Sequence, residues 1–322
     1  MQRALAVLRR GLPFQSLLTA AFDWDSAIAG ARRSLGDFDV TIVILSRVDP
    51  WARASLGNGM KILDSVDSLR RNAEERGNAA SLLTRWFWRR EERLLARAED
   101  DVADAYDRII LVNDEELSDF GDRAVAIANG VRVEPLDPGA PRQFDFGFWG
   151  RLAYFANADA ARWLIDEIWP AILERNPAVS CVIAGADAPR SIRRAAERSG
   201  ITFLSPVDSV AVLARSVCVA IIPVRHGSGQ LNKVVEAGEA GCAIVATRQS
   251  LRGLAPLVPF VQFADDAQSF AATALALLKD DERATMASAL RHAVVANYSR
   301  AQILAELAKV AGVQRAAEAV TA

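Results

Sequence analysis

Short apolar runs alternate along this chain with longer amphipathic stretches, the arrangement of α/β folds with parallel sheets. In the first half, Asp39–Leu45 (DVTIVIL) is β-branched and apolar and predicts a buried strand. Lys61–Val66, Arg108–Val112 and Ala124–Ala128 predict three more strands. Ser26–Leu35 and the charged stretch 79–105 predict helices. The second half is more regular. Phe144–Trp149, Ser180–Ala184, Ile201–Leu204, Val217–Pro223 and Ala243–Thr247 predict strands, with helices at Ala158–Glu174, Ser191–Ser199, Ser209–Arg215 and Gln230–Ala240, and further helices from Ala267 onward. Such a succession predicts an open, doubly wound sheet whose ligands sit beyond the carboxyl ends of the strands. The turn-rich stretch Pro135–Arg142 predicts a linker, giving domains at 1–140 and 141–322.

Composition narrows the function classes. The net charge of −2 offers no basic excess for a nucleic-acid partner. Cys181, Cys218 and Cys242 lack metal-binding spacing and read as buried thiols of a reducing compartment. The basic start Met1–Arg10 has an apolar stretch of only Ala4–Leu8, too short for a signal peptide. No run approaches the ~20 apolar residues that span a bilayer. The expected location is the cytoplasm, with peripheral contact at the inner membrane face as a further expectation.

The chemistry concentrates in Ile221–Ala237 (IIPVRHGSGQLNKVVEA). A strand runs out through Pro223 into His226-Gly227-Ser228-Gly229, and a helix follows directly. Glycines let backbone approach a ligand closely, and a helix start offers unpaired N–H groups with about half a positive charge. That combination suits a diphosphate. Lys233 can neutralise phosphate without a metal, and Glu236 lies three residues on. The same pattern also describes an ordinary strand–loop–helix crossover with a solvated Lys and Glu.

Gly229–Ala237 resembles the glycine–asparagine–lysine–valine–x–glutamate–alanine helix start of glycosyltransferase family 4, especially the sugar transferases of bacterial polysaccharide loci, including those linked to the PEP-CTERM/exosortase system. Ala243–Thr247 followed by Gly253-Leu254 is similar to that family's next strand and loop. Gly147–Arg162 is similar to the entry of its second domain, where Asn157 or Asp159 would cap a helix. Gly200–Asp208 is similar to its base-contacting loop. In the first half, Ile62–Ser68, residues 86–99, Ile109–Glu116 and Ala128–Val131 resemble further family segments; Asn113 would cap and Glu116 complete a capping box.

The resemblance implies an α/β chain of GT-B type, with two Rossmann-like domains facing a cleft. The N-terminal one is expected to be incomplete, short by roughly three of about half a dozen strands. It implies a retaining transferase moving a sugar from a nucleotide-diphosphate sugar to a glycan or lipid-linked acceptor, with neither metal nor cofactor. Lys233, Glu236 and Arg151 would form the catalytic set, with Glu236 holding the ribose. Gly150, Pro206, Val207, His226, Gly227, Ser228, Gly229, Gln230 and Asn232 would bind the donor. Asp64, Asp67 and Asn129 would face the acceptor. Three departures stand beside this reading: Ser228 replaces a glutamate common in the family, no lysine follows Arg151, and both histidines, His226 and His292, lie in the second half. The alternatives are a catalytically inactive relic serving as a partner or scaffold subunit, and a nucleotide-sugar epimerase of the same fold.

Other patterns admit two readings each. Asp23-Trp24-Asp25 is formally a D-x-D motif, but Asp25 before SAIAGARR is more simply a helix cap. Asp64 and Asp67 could bind acceptor or metal, or could end a strand and cap a helix. Arg85–Arg97 combines aromatics with five arginines: a helix pressed onto anionic lipid, or one packed on the sheet with solvated Arg/Glu pairs. His226 could donate to the diphosphate or sugar, or be incidental.

Overall fold

A computed structural model describes residues 11–19, 22–137, 139–227, 229–279 and 282–313; the basic start Met1–Arg10 lies outside the described residues. The chain divides into two compact units, one of residues up to Ala128 together with those from Leu304, the other Asn129–Ile303.

In the first unit, β1 (Val40–Ile44), β2 (Met60–Val66), β3 (Arg108–Leu111) and β4 (Ala124–Ala126) form a parallel sheet in that order. Val43, Leu63, Ile109 and Leu111 make its core with Tyr106 and Phe120. The Tyr106 hydroxyl is satisfied by donating to Asp49 at 2.7 Å. β1 corrects one expectation: it is an edge strand, and Ile42 and Ile44 on its open face are exposed. A β-branched run fills a strand buried on both faces, but it suits a half-covered edge equally well. The charged stretch 79–105 forms one helix, Leu82–Ala105, and a further helix, Leu69–Ala79, precedes it. Asp23, not Asp25, caps the Trp24–Leu35 helix by accepting from the Ser26 amide. Asn113 does cap its turn, accepting from the Glu115 amide, whereas Glu116 reaches away to accept the Ser68 amide at 2.7 Å.

The second unit holds six parallel strands in the order β10-β9-β8-β5-β6-β7. They are β5 (Phe144–Trp149), β6 (Cys181–Ala184), β7 (Thr202–Leu204), β8 (Val217–Ile222), β9 (Ala243–Ala246) and β10 (Gln262–Phe263). Phe146, Val182, Ile183, Val219, Ile221, Ile244 and Val245 are wholly buried. Their continuous apolar runs reflect strands covered by helices on both faces. Strand order reverses between β5 and β8, which makes their carboxyl ends a topological switch point. The segment after β5 runs through Phe155–Trp163, a π turn at Leu164–Ile168 and Trp169–Arg175. No described helix is long and apolar enough to cross a membrane.

Candidate active site at the carboxyl end of the second sheet

Two loops leave the sheet at this switch point, one from β5 through Gly150 and one from β8 through Gly227. The first comes close to β6: a Cβ on Gly185 would lie 1.8 Å from the Gly150 carbonyl oxygen. Only glycine fits there, and the backbone oxygen cannot move aside as a side chain could. Gly185→Ala is therefore expected to cost about 3 kcal/mol or more, because the β5 loop must shift. The check is a lower urea midpoint for the second unit's transition at unchanged slope.

Gly150 in turn leaves room for a cation. A Cβ there would stand 3.3 Å from Lys233 Nζ and 3.0 Å from Asn157 Nδ2. Lys233 belongs to the first turn of the Asn232–Glu239 helix, which begins two residues later than the sequence pattern suggests. Its side chain is 6% exposed and lies 5.0 Å over the Phe148 ring. Burial lowers the ammonium's pKa to about 8, partly offset by Glu236. Lys233 Nζ donates to Asn157 Oδ1, and Asn157 Nδ2 donates to the Arg151 carbonyl at 2.9 Å. Asn157 thus ties the cation to the β5 loop instead of capping a helix; the cap position is Tyr154, with no side-chain bond. Asp159 is not the cap either, and pairs with Arg225 and His226.

The helix start itself has Leu231 at its cap position with no side-chain hydrogen bond. The Val234 amide donates back to the Leu231 carbonyl at 3.0 Å, so the helix-start donors for an anion are the Asn232 and Lys233 amides. One turn on, Glu236 accepts from the Trp149 indole at 2.8 Å. Burial raises its carboxyl above the usual carboxylate range, while Trp149 and Lys233 pull it back. Trp149, Asn157 and Lys233 thus fix one polar cluster from three separate segments.

The remaining expected residues divide in placement. Gln230 clamps Asn129, accepting from its amide at 2.8 Å and donating to its carbonyl at 3.2 Å, while Asn129 Nδ2 donates to Asn232. Asn129 therefore lies against the start of the Asn232–Glu239 helix and opens the second unit. Gln249 donates to the Gly227 carbonyl at 2.8 Å and braces that loop. Gly227 and Gly229 both take positive φ, +122° and +79°. Ser228 lies outside the described residues. His226 is half exposed, with Nε2 3.8 Å from Asp159. Arg151 is exposed and pairs with Asp187 at 3.0 Å. Pro206, exposed, and Val207, partly buried, follow β7 beyond a cis Ser205–Pro206 bond.

Asp64 and Asp67 belong to the first unit. Ser68, not either aspartate, caps the following helix by accepting from Arg71. Burial, with Glu116 and Glu75 nearby, raises Asp67 to about 7. A cavity of about 610 Å³ in the second unit, lined by Arg142, Cys218, Arg283 and Arg291, touches the starts of β8 and β9, the opposite end from this site.

Pattern reading missed Trp149, Asn157 and Gln249 as parts of this cluster. Asn157 carried a signal, since it lies in the segment resembling the family's domain entry, but the local capping rule claimed it.

Residues 143–280 match the family model described as Glycosyl transferases group 1. No curated protein matches the chain. Among solved structures, it is similar to a point mutant of S. aureus TarM in complex with fondaparinux, alpha-GlcNAc-glycerol and UDP, at TM-score 0.67 and 15% identity, over 88% of this chain and 58% of that one. The chain thus spans little over half of TarM's length. It is also similar to Anabaena Alr3699/HepE in complex with UDP-glucose, at TM-score 0.65 and 14% identity, covering 89% and 81% of the two chains. Sucrose-phosphate synthase from Thermosynechococcus elongatus gives TM-score 0.69 at 14% identity, covering 89% and 76%. The two parallel sheets and these likenesses establish the fold of the GT-B glycosyltransferases, with a glycosyl transferases group 1 domain at residues 143–280.

Proposed function

We propose that this chain is a retaining glycosyltransferase that takes a sugar from a nucleoside diphosphate sugar and passes it to a glycan or lipid-linked acceptor, as in surface polysaccharide synthesis. The observation that carries the reading is the buried Lys233 ammonium beside the Gly150 backbone, at a helix start without a side-chain cap. As the bond between the anomeric carbon and the diphosphate oxygen breaks, negative charge grows on the leaving group. A fixed ammonium and free helix amides stabilise that charge most where water is excluded. In this reading Glu236, which accepts from the Trp149 indole, holds the ribose hydroxyls. HepE and TarM were each solved with UDP, which supports a uridine donor for this chain too.

The test is a thermal-shift and calorimetric titration of the purified chain with UDP, then donor turnover with lipid and glycan acceptors. Saturation at 100-fold excess over Kd stabilises by about 2.7 kcal/mol. Glu236→Ala is expected to weaken UDP binding by roughly 10-fold or more, the cost of losing charge-assisted hydrogen bonds. No stabilisation by any nucleoside diphosphate would overturn the proposal.

A further inference from the structure

The Leu82–Ala105 helix is held from one side only. Glu91, Leu95, Glu99 and Val102 are buried and define its inner face. On the opposite face the first turn carries Leu82 at 82% exposure, Leu83 at 85% and Trp86 at 66%. Phe14, itself exposed, packs edge-on against Phe87 at 6.0 Å and extends this apolar tip. Beyond Trp86, steps of three and four residues bring Arg89, Arg93 and Arg97 onto the same stripe, all exposed. Arg90, on the flank, spends its charge on Glu91 at 2.7 Å. Arg93 donates to the Arg89 carbonyl, and none of the three stripe arginines pairs with a carboxylate among the described residues.

A solvated helix face does not expose two leucines and a tryptophan together, and a packed face does not leave three guanidinium groups without counterions. The chain as a whole carries −2, so the cationic stripe is local rather than a general excess. From Leu82 to Arg97 the stripe runs ~22 Å along the helix. We infer that this face docks on a bilayer rich in anionic lipid, the Leu82/Leu83/Trp86 tip inserted at the acyl boundary and Arg89, Arg93 and Arg97 lying on the headgroups. The surface belongs to the first unit alone and does not depend on the donor chemistry.

The experiment is flotation of the full chain with phosphatidylcholine vesicles, with and without phosphatidylglycerol. The chain is expected to float only with phosphatidylglycerol, and less as salt rises. Each arginine near such a surface contributes about five-fold, so R89Q/R93Q/R97Q should lower partitioning by on the order of 100-fold. L83S/W86S should also release the chain. Both variants change exposed side chains and should keep the parent's circular dichroism and its response to UDP. Equal flotation of the triple glutamine variant, or equal binding to neutral vesicles, would overturn the proposal. So would absent flotation together with a dimer that L83S/W86S dissociates, since a second copy would then cover the face. A chain that floats but ignores UDP would leave this inference standing and sink the donor reading, and the reverse result would do the opposite.

Discussion

Replacing Lys233 by methionine is expected to cut turnover of a nucleoside diphosphate sugar by on the order of 100- to 1,000-fold while the fold persists. Methionine keeps the stem that crosses Phe148 and removes only the charge. Steady-state kinetics on the parent and K233M check this; equal turnover would mean that the ammonium does not meet the leaving group. The same residue sets a pH signature. Its pKa is about 8 in the folded chain against 10.5 for an ordinary lysine, because burial disfavours the charged form. Between those values the unfolded chain binds more protons than the folded one. Stability therefore rises with pH through that window, by roughly 3 kcal/mol in all, and this rise should be missing from K233M. An arriving diphosphate favours the charged form again, so UDP binding above about pH 8 should take up a proton. Calorimetry in buffers of different ionisation heat reads that uptake directly.

The largest loss of stability should come from Glu239, a residue outside the site. Its carboxylate is 2% exposed and sits between Arg215 at 2.9 Å and Arg291 at 3.0 Å. It also accepts the Glu134 amide at 3.0 Å. Glu239→Ala would leave Arg291 with no carboxylate among the described residues, only the Glu134 carbonyl, would leave Arg215 with Glu134 alone, and would strip the Glu134 amide of its acceptor. Breaking one partner of such an arrangement costs about 3–5 kcal/mol. Urea unfolding of the second unit provides the check, and a loss below 1 kcal/mol would show that the arginines find other partners.

The second unit was the more legible in sequence for a physical reason. Strands such as SCVIA and VCVAII are covered on both faces, so their apolar runs are unbroken and their ends are marked by glycine or proline. In the first unit the Leu69–Ala79 helix escaped because LRRNAEERGNA offers few apolar residues; of these Ala73 is wholly buried. β1 was misjudged because a β-branched run does not say how many of its faces are covered. Within the site, the glycines, Lys233 and Glu236 are local features of one segment and could be read together. Asn157 and Trp149 join them from other strands and helices. Their roles arise from contacts 76 and 87 residues apart in the chain, which no spacing rule along a single helix or loop can express.

The bond from the Trp149 indole to the Glu236 carboxylate gives the molecule a built-in optical gauge. The indole ring is almost wholly enclosed, and its one polar hydrogen points at the group proposed to grip the sugar of the nucleotide. Any occupant that draws on that carboxylate must perturb this chromophore. The difference in emission between the parent and a Trp149→Phe chain thus becomes a label-free meter of occupancy, read in real time without a coupled assay.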